Sequence, residues 1–559
     1  TAGIGFAGVN STDPNYPWPQ ATIGSGNIIT GGEYGILLGA WGTKYNPVLT
    51  FGSTTLKGQT NQAIWMDENI GIGTNYDIRS VIIKDALDVV ISDNFAKEDK
   101  VHHALDGLNR GLFTWVPSNV YVTTNTLGIQ RGIDAASATW TVNVADGTFT
   151  EQLEINKQLT LLGQGVGATN VVSPTVLPLS YTTSAANKPV IFVHDANDVV
   201  INGITLDGDG KGNSNYRFQG IAFWNAGGNV LNSSVIDVID TPFSGAQHGV
   251  GIYAFNNTPA SSYNIALNNV TVSGFQKTGI ALNGTGNLTV DIDNVTTTGH
   301  GPTSVTAQNG IQVWGASGTI DDCSISQIAY TGGSWTASGL LVYGPGTITA
   351  DQVNIDNCQT SVYWTDANGS YKNSSITNPI MDGIYGLSNS GTHTLTVENV
   401  SAIGSDITGS WGINPLANGG TMNMNISNCD IRHWNYGIYA YDYGTSGGVL
   451  NTVASENNLA ENTVGFATNA AITQTATCNW FGTTVPASVD ALVDGSVNYI
   501  PYLTDGTDGS TDPGFQPTGT CSAPCTLAIS VSSTVANCPL RNDGTATVNV
   551  TAGGNSPSY

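Results

Sequence analysis

The stretch 309–315 reads NGIQVWG, and variants of it recur along much of the chain. Each variant places a glycine before Ile, Leu, Val or Phe and then alternates apolar with mixed residues, which is typical of a short β-strand. The glycines of the first five copies are about 30 residues apart, and a period of this size predicts a stacked repeat architecture. The copies include QGIAFW from Gln219, VGIYAFN from Val250, TGIALNG from Thr278, SGLLVYG from Ser338, YGIYAYD from Tyr436 and VGFATNA from Val464.

A second phrase recurs about half a period later, for example as LNNVTVSGF from Leu267 and IDNVTTTGH from Ile292. Asparagine tolerates the left-handed backbone region that a tight bend needs, and its amide can bond to the next copy. The pattern therefore predicts a ladder of amides inside a parallel β-helix, in which each strand pairs with the strand one coil later. The asparagines at the equivalent position are Asn269, Asn294, Asn357, Asn399 and Asn428.

These repeats resemble the right-handed parallel β-helix of pectate-lyase-like proteins and of many bacterial surface proteins. The resemblance covers most of the chain and implies an all-β fold, a right-handed parallel β-helix solenoid. The segment from Leu127, LGIQRGIDAAS, has apolar residues at helical spacing and predicts a short capping helix. Such a helix would shield the open edge of the first coil.

Four regions follow from the order of these segments. Residues 1–125 read as β-helical coils, and their last part, from Glu98, resembles the segment that closes β-helical domains in large bacterial surface proteins. This resemblance implies the end of a preceding β-helix and a longer native polypeptide. Residues 126–505 are the parallel β-helix with its two caps, because Cys478–Leu503 resembles a terminal cap of such proteins. Residues 506–524 read as a linker, and 525–559 resemble the start of a SprB-type β-sandwich repeat of Bacteroidetes adhesins, cut short.

Charge and composition exclude several partners. The 559 residues carry a formal net charge of -25, which repels nucleic acid and anionic lipid surfaces. No apolar run is long enough to insert into a membrane. Divalent cations are favoured by this charge, and an acidic polysaccharide would need a local cation or basic patch. Of the seven cysteines, Cys323, Cys358 and Cys429 fall at inward strand positions, and Cys525 with Cys538 is a candidate disulfide.

The outward positions of the repeated strands are rich in aromatic residues. If the isoleucines of the first phrase point inward, alternate residues point outward and align along the column, since neighbouring coils are about 4.8 Å apart. Aromatic faces stack on sugar rings and anchor binding sites. We call this set the aromatic strip and predict it as a ligand-binding surface, unless long turns fold over it. Its members are Trp224, Tyr253, Phe255, Trp314, Tyr343, Tyr363, Tyr385, Tyr439 and Tyr441.

Catalysis is the main alternative, because many parallel β-helices degrade polysaccharides. Gly299-His300-Gly301 resembles the Gly-His-Gly of polygalacturonase-like enzymes, and Asp291 with Asp293 would supply a carboxylate pair on one face. The order of the other motifs does not match that family. Lyase-like proteins use an Arg or Lys base, but the bases between 219 and 470 are scattered: Lys277, Lys372 and Arg432.

One loop carries oxygen donors at a spacing that suits calcium. LDGDGKGNSN, from Leu206, places Asp207, Asp209 and Asn213 among glycines. The loop lacks the closing Glu of an EF-hand, so a plain turn without metal remains the alternative. Calcium is the one cofactor that the sequence suggests.

Together these features favour a non-enzymatic segment of a secreted, extracellular, cell-surface adhesin or filament. The expected partner is extracellular polysaccharide or an abiotic surface. The Bacteroidetes resemblance implies export by the type IX secretion machinery, attachment at the outer membrane and a role in gliding motility. Two alternatives stay open: a secreted polysaccharide lyase or glycoside hydrolase centred on His300, and a purely structural spacer.

Overall fold

The structure is a computed structural model that describes residues 2–8, 20–40, 46–258, 260–444, 447–523, 528–533 and 545–552. The chain forms two compact units. The first holds the chain up to Ser370 together with Asn378–Ile380, and the second holds Tyr371–Thr377 and the chain from Met381 onward. Both units are parallel β-helices, which confirms the fold predicted from the repeats.

The first unit begins with coils of three short strands each. Strands one coil apart pair in parallel, so that Ile4, Ile36 and Ile64 lie in one register. A short helix, Asn94–Glu98, and a buried apolar cluster complete these coils. The strands are Ala2–Gly8, Gln20–Ile23, Asn27–Thr30, Tyr34–Ala40, Val48–Phe51, Thr54–Lys57, Ile64–Met66, Ile70–Asp77, Val81–Lys84, Val101–His102 and Arg110–Thr114.

The helix Ile129–Ala135 follows, at the predicted place of the cap, with Ile129 and Ile133 buried. From here three parallel sheets run through the first unit. Its first sheet, which carries the repeated NGIQVWG-like phrase, pairs each copy with the next in register. It consists of Leu153–Ile155, Ala186–His194, Phe218–Trp224, Val250–Phe255, the first parts of Thr278–Thr298 and Asn309–Asp321, Ser338–Tyr343 and Thr360–Thr365.

The second and third sheets form the other two sides of each coil. Long strands such as Gly228–Ile236 bend at a corner and contribute to both. The second sheet holds Asn119–Val122, Thr141–Val144, Thr160–Leu162, Val199–Asn202, Thr347–Asp351 and parts of Gly228–Ile236, Tyr263–Ser273, Thr278–Thr298 and Asn309–Asp321. The third holds Gly147–Thr150, Thr169–Val172, Thr205–Asp207, Ser324–Ile328, Asn354–Cys358 and the remaining parts of Gly228–Ile236, Tyr263–Ser273 and Thr278–Thr298.

The core is a set of aliphatic stacks. Inward residues of the first sheet follow one another in register from coil to coil and are completely buried, as alternation along the strands predicted. Full burial of one such side chain contributes about 1.5–3 kcal/mol to the free energy of folding. The stack contains Ile191, Ile221, Ile252, Ile280, Ile311, Leu340 and Val362.

The predicted asparagine corners are confirmed, but their ladder is not inside the coil. All five asparagines adopt positive φ, between 51° and 55°. Asn269 Nδ2 donates to Asn232 Oδ1 at 2.8 Å, and Asn294 Nδ2 donates to Asn269 Oδ1 at 3.4 Å. Asn269 and Asn294 are nevertheless exposed. A left-handed residue at a convex corner turns its Cβ toward solvent, so the amides bond along the outer edge.

The second unit repeats the plan. Ile384, Ile413, Ile438 and Phe466 form its fully buried stack in the first sheet. Its strands are Ser375–Thr377, Asp382–Ser388, Thr392–Glu398, Ser401–Ile403, Trp411–Ala417, Thr421–Ser427, Asp430–Arg432, Tyr436–Asp442, Val449–Ser455, Val464–Thr468, Gln474–Thr475, Val493–Asp494, Val497–Asn498, Tyr502–Leu503, Cys521–Ser522, Ala528–Ser533 and Ala546–Ala552, with a helix Pro486–Asp490.

Part of the predicted linker packs on the second unit. Phe515 is 1% exposed, its N–H donates to Asn428 O at 2.7 Å, and the N–H of Gly514 donates to Ser401 Oγ at 2.9 Å. This stretch therefore contacts the coils, and the division of the chain at 506–524 stays a prediction. Beyond it, Ala528–Ser533 and Ala546–Ala552 pair antiparallel.

The cysteines partly follow prediction. Cys323, Cys358 and Cys429 are buried free thiols, and burial raises the pKa of each to about 12. A disulfide that was not predicted joins Cys478 and Cys521 across 43 residues. The candidate pair Cys525 and Cys538 lies outside the described residues.

Among the described helices none combines the length and apolar character that crossing a bilayer requires.

Candidate functional site

The aromatic strip lies on the outer face of the first sheet in each unit, and all nine predicted side chains are half-buried. In their strands, inward and outward residues alternate, and the nine side chains occupy outward positions. In the first unit they form two columns. One runs from Trp224 through Phe255 and Asn283 to Trp314 and Tyr343. The other runs through Ala222, Tyr253, Ala281, Gln312, Leu341 and Tyr363.

Two amides connect the rings of these columns. Gln312 Nε2 donates to Tyr343 Oη at 3.2 Å and to Asn283 Oδ1 at 3.4 Å. Asn283 in turn forms a side-chain hydrogen bond with Tyr253. A continuous network thus crosses four successive coils, from Tyr253 to Tyr343. Neither amide was predicted from the sequence, because the predicted surface contained only the aromatic residues at outward positions.

The rings are close and nearly parallel in two places. Trp314 and Tyr343 have centroids 6.2 Å apart at 27°, and Tyr253 and Phe255 lie 6.3 Å apart at 8°. Phenols are protonated at neutral pH, and burial raises the pKa of Tyr253 and Tyr343 further above that range. Protonated phenols can donate as well as accept, which suits recognition of hydroxyl-rich ligands.

One end of the strip in the first unit is covered. Tyr181 stacks on Phe192 at 5.1 Å and on Trp224 at 5.4 Å, and its Oη donates to Gln219 Oε1 at 2.7 Å. The strand Tyr181–Thr182, paired antiparallel with Ala186–His194, brings this ring over the face. Trp224 and Tyr253 both pack against the cluster that Tyr181 forms with Phe192 and Ala222, so this end of the strip is partly covered.

In the second unit the strip is a cluster of tyrosines. The ring centroid of Tyr439 lies 5.5 Å from that of Tyr441 and 4.9 Å from that of Tyr436. The centroids of Tyr441 and Tyr443 are 5.1 Å apart. The hydroxyls of Tyr385 and Tyr443 are 3.5 Å apart. Tyr436 and Tyr443 were not predicted, because they flank the strand core where the alternation was counted.

The catalytic candidates do not form one site. Asp291 and Asp293 lie on the second-sheet part of Thr278–Thr298, where Thr319 Oγ1 donates to Asp291 at 3.2 Å and Asn268 Nδ2 donates to Asp293. His300 belongs to the loop after the third sheet, where its ring stacks on Phe243 at 4.2 Å and its backbone N–H donates to Gln308 Oε1 at 2.8 Å. Asp291 and Asp293 thus share one side of the coil and His300 lies on another, which the linear spacing could not show.

The calcium candidates make the contacts of a turn. Asp207 Oδ1 accepts the N–H of Asp209 at 2.7 Å, and Asp209 pairs with Lys211 at 2.9 Å. Asn213 Oδ1 accepts the N–H of Thr241 at 2.7 Å. These contacts occupy some of the oxygens, and calcium binding at this loop stays a prediction.

A different cluster, Glu98 with His103 and Asp106, has ligand atoms close enough to hold a metal ion. His103 Nδ1 accepts the N–H of Phe113 at 2.9 Å, which leaves the proton on Nε2, 2.8 Å from Glu98 Oε1. A metal on Nε2 would require the imidazolate, so the ring fits a hydrogen-bonded core better than a metal site. Burial lowers the pKa of His103 to about 4 and raises that of Glu98 well above its usual value.

No family model matches the chain, and no curated protein matches it. Among solved structures, the gp42 tailspike of Acinetobacter phage vb_AbaP_AS12 is similar, with 11% sequence identity and a TM-score of 0.42. The match covers 70% of this chain and 71% of the tailspike chain.

Proposed function

We propose that this chain is a non-enzymatic segment of a secreted cell-surface adhesin, and that its aromatic strip binds extracellular polysaccharide. The observation that supports this is the network from Tyr253 through Asn283 and Gln312 to Tyr343, set beside the Trp314 ring. Aromatic faces and amides are the two kinds of group that such ligands need: rings pack against C–H faces of sugars, and amides exchange hydrogen bonds with hydroxyls.

The arrangement also suits a polymer better than a single sugar. Each coil from Trp224 to Tyr343 contributes an aromatic or amide side chain to the two columns, and coils repeat at about 4.8 Å. A linear polysaccharide presents a similar surface at each residue, so several weak contacts add along its length. An extended ligand lying along the coils therefore agrees with the shape and chemistry of the strip.

The finer assignment rests on sequence resemblance. The segments from Glu98, from Cys478 and from Cys525 support a Bacteroidetes surface adhesin with SprB-type repeats, type IX export and a role in gliding. A non-enzymatic role agrees with the separation of His300 from Asp291 and Asp293 on different sides of the coil.

The test measures binding to immobilised cellulose, xylan and polygalacturonate. Trp314→Ala combined with Tyr343→Ala should weaken binding to the preferred polymer at least about tenfold, because exposed ring faces carry the contact. Tyr216→Ala is the matched control, since Tyr216 is 65% exposed and lies outside the strip. Circular dichroism should show the same folded state in all three proteins.

Each outcome has a consequence. Equal binding by the double variant and the parent would exclude the strip as the ligand site. Failure of the parent to bind any polysaccharide would favour the spacer alternative. Release of soluble sugars by the parent, abolished by His300→Ala, would establish the enzyme instead.

A further inference from the structure

A corner of the first unit is built by loops that immediately precede strands of the first sheet. Three buried glutamines fix these loops. Gln276 donates to Ser244 O, and Gln308 donates to Phe275 O at 2.8 Å while accepting the N–H of His300 at 2.8 Å. Gln359 Oε1 accepts the N–H of Ala337 at 2.9 Å. The loops are therefore held in place by the coils beneath them.

These loops enclose a groove of about 500 Å³, a volume within the range of small-ligand sites. Its walls come from four different loops, one per coil, and combine one cation, two aromatic rings and polar groups. None of the nine strip residues lines it. The groove is lined by Gln247, Lys277, Thr306, Ala307, Tyr330 and Trp335, among others.

Lys277 is the cation of the groove, and it differs from the other two basic residues between 219 and 470. Lys372 pairs with Glu398 at 2.8 Å, and Arg432 pairs with Asp430 at 2.7 Å. The Lys277 ammonium instead donates to a neutral acceptor, Ala307 O, and has no carboxylate partner among the described residues. An ammonium has three donors, so two remain for a ligand.

The surroundings of Lys277 favour its interaction with an anionic ligand. Burial alone lowers the pKa of its ammonium, which means that the charge is partly desolvated and not compensated by a nearby acid. Its backbone is fixed by bonds from Lys277 N–H to Gly249 O at 2.9 Å and from Asn309 N–H to Lys277 O at 3.0 Å. A carboxylate placed here would form a charge-assisted hydrogen bond with a preorganised donor.

The other walls suit a sugar ring. Trp335 is 74% exposed although its neighbour Ala337 is buried, so its indole face is available to a ligand. Gln247 Nε2 donates to Gly245 O at 3.0 Å and to Thr306 Oγ1 at 3.2 Å, which orients the amide. Its side-chain oxygen accepts no bond from the described residues and can accept one from a hydroxyl.

We propose that this groove binds a uronic acid residue of an acidic polysaccharide, with the carboxylate on Lys277 and the sugar ring on Trp335. The net charge of -25 makes this local cation necessary, because the rest of the surface repels an acidic polymer. The proposal does not depend on the aromatic strip, whose residues lie elsewhere, so either site can fail alone.

The test is calorimetric binding of trigalacturonic acid and of its fully methyl-esterified form to the whole chain. Lys277→Met should weaken binding of the acid at least about tenfold and leave the ester unchanged, since only the acid carries the charge. Lys277→Arg should retain most of the preference for the acid. Trp335→Ala should weaken both ligands, and Lys372→Met, a lysine outside the groove, should change neither.

Added salt should reduce the preference for the acid, because the groove is open to solvent. Loss of binding in Trp314→Ala/Tyr343→Ala but not in Lys277→Met would overturn the groove proposal and assign the ligand to the strip. Equal affinity of the parent for acid and ester would overturn it as well, as would absence of binding by the parent to either ligand.

Discussion

Two outward columns of the first unit show opposite uses of the same geometry. In one column of the first sheet, Asn283 and the strip residues Trp314 and Tyr343 follow one another in register, and the two rings stack on each other. In the second sheet, Asp293, Asp321 and Asp351 follow one another in the same way. There burial raises the pKa of Asp321. The negative charges of Asp351, Asp293 and Asp291 raise it further. A parallel β-helix thus places equivalent side chains next to one another in successive coils, so that favourable and unfavourable interactions are both repeated along a column.

The largest loss of stability is expected for a charge placed at an inward position of a first-sheet strand. Val313 points inward at 1% exposure between the outward residues Gln312 and Trp314. Val313→Asp should lower the free energy of unfolding by about 4 kcal/mol or more, because it buries an unpaired charge. Gln312→Asp, one residue away, should cost about 1 kcal/mol through its lost hydrogen bonds. Urea unfolding followed by tryptophan fluorescence measures both, and equal losses would contradict the assigned faces.

A carboxylate at position 283, beside the strip, should destabilise the fold more than one in the acidic column formed by Asp293, Asp321 and Asp351. Asn283 is 9% exposed and bonds both Tyr253 and Gln312. Asn283→Asp should lower the free energy of unfolding by about 1–3 kcal/mol at neutral pH. Because burial would raise the folded-state pKa of the new carboxyl, the loss should shrink as pH falls through that pKa. A loss that is the same at pH 7 and pH 4 would argue against burial of the charge.

A smaller change tests the network without adding charge. Tyr343→Phe removes the acceptor of the Gln312 Nε2 bond and keeps the ring that stacks on Trp314. The free energy of unfolding should fall by about 1 kcal/mol, the usual net contribution of one hydrogen bond. Amide hydrogen exchange in strand Asn309–Asp321 should accelerate accordingly. Unchanged exchange would show that the bond contributes nothing to this strand.

The smallest effect is expected in the acidic column, and it has the opposite sign. Asp321 binds its proton more tightly in the folded chain than in the unfolded one. Its contribution therefore destabilises the fold above the raised pKa and fades as pH falls through it. Asp321→Asn should stabilise the protein by about 0.3 kcal/mol at pH 7 and flatten the pH dependence between pH 7 and 4. Asp356→Asn, outside the column, serves as the control, and an equal gain there would remove the column as the cause.

The sequence predicted the features that depend on one residue and its immediate neighbours. Alternation around Ile252, Ile311 and Ile438 assigned inward and outward faces, and all three are completely buried. Asparagine at a corner predicted a left-handed residue, as Asn357 and Asn428 show. Both rules are local, so variation in coil length did not disturb them.

Features that depend on which coils become neighbours could not be predicted in the same way. The Gln312 bridge between Asn283 and Tyr343 requires the register of three coils, and no spacing rule supplies it. The separation of His300 from Asp291 depends on where the chain turns between sheets. The amide ladder was assigned to the wrong side because sequence identifies a bend but not which way its side chain points.

The disulfide between Cys478 and Cys521 changes how the second unit would carry a pulling force. Tension applied to the chain after Cys521 enters the coils at Cys478 through a covalent bond and bypasses the 43-residue interval between them. At Cys478 the force meets backbone bonds to the neighbouring coils, where Cys478 O accepts from Glu456 N–H at 2.9 Å and Cys478 N–H donates to Pro501 O at 2.7 Å. The packed segment around Phe515 would stay in place under load, and only after reduction of the disulfide would the same tension act on the contacts of that interval.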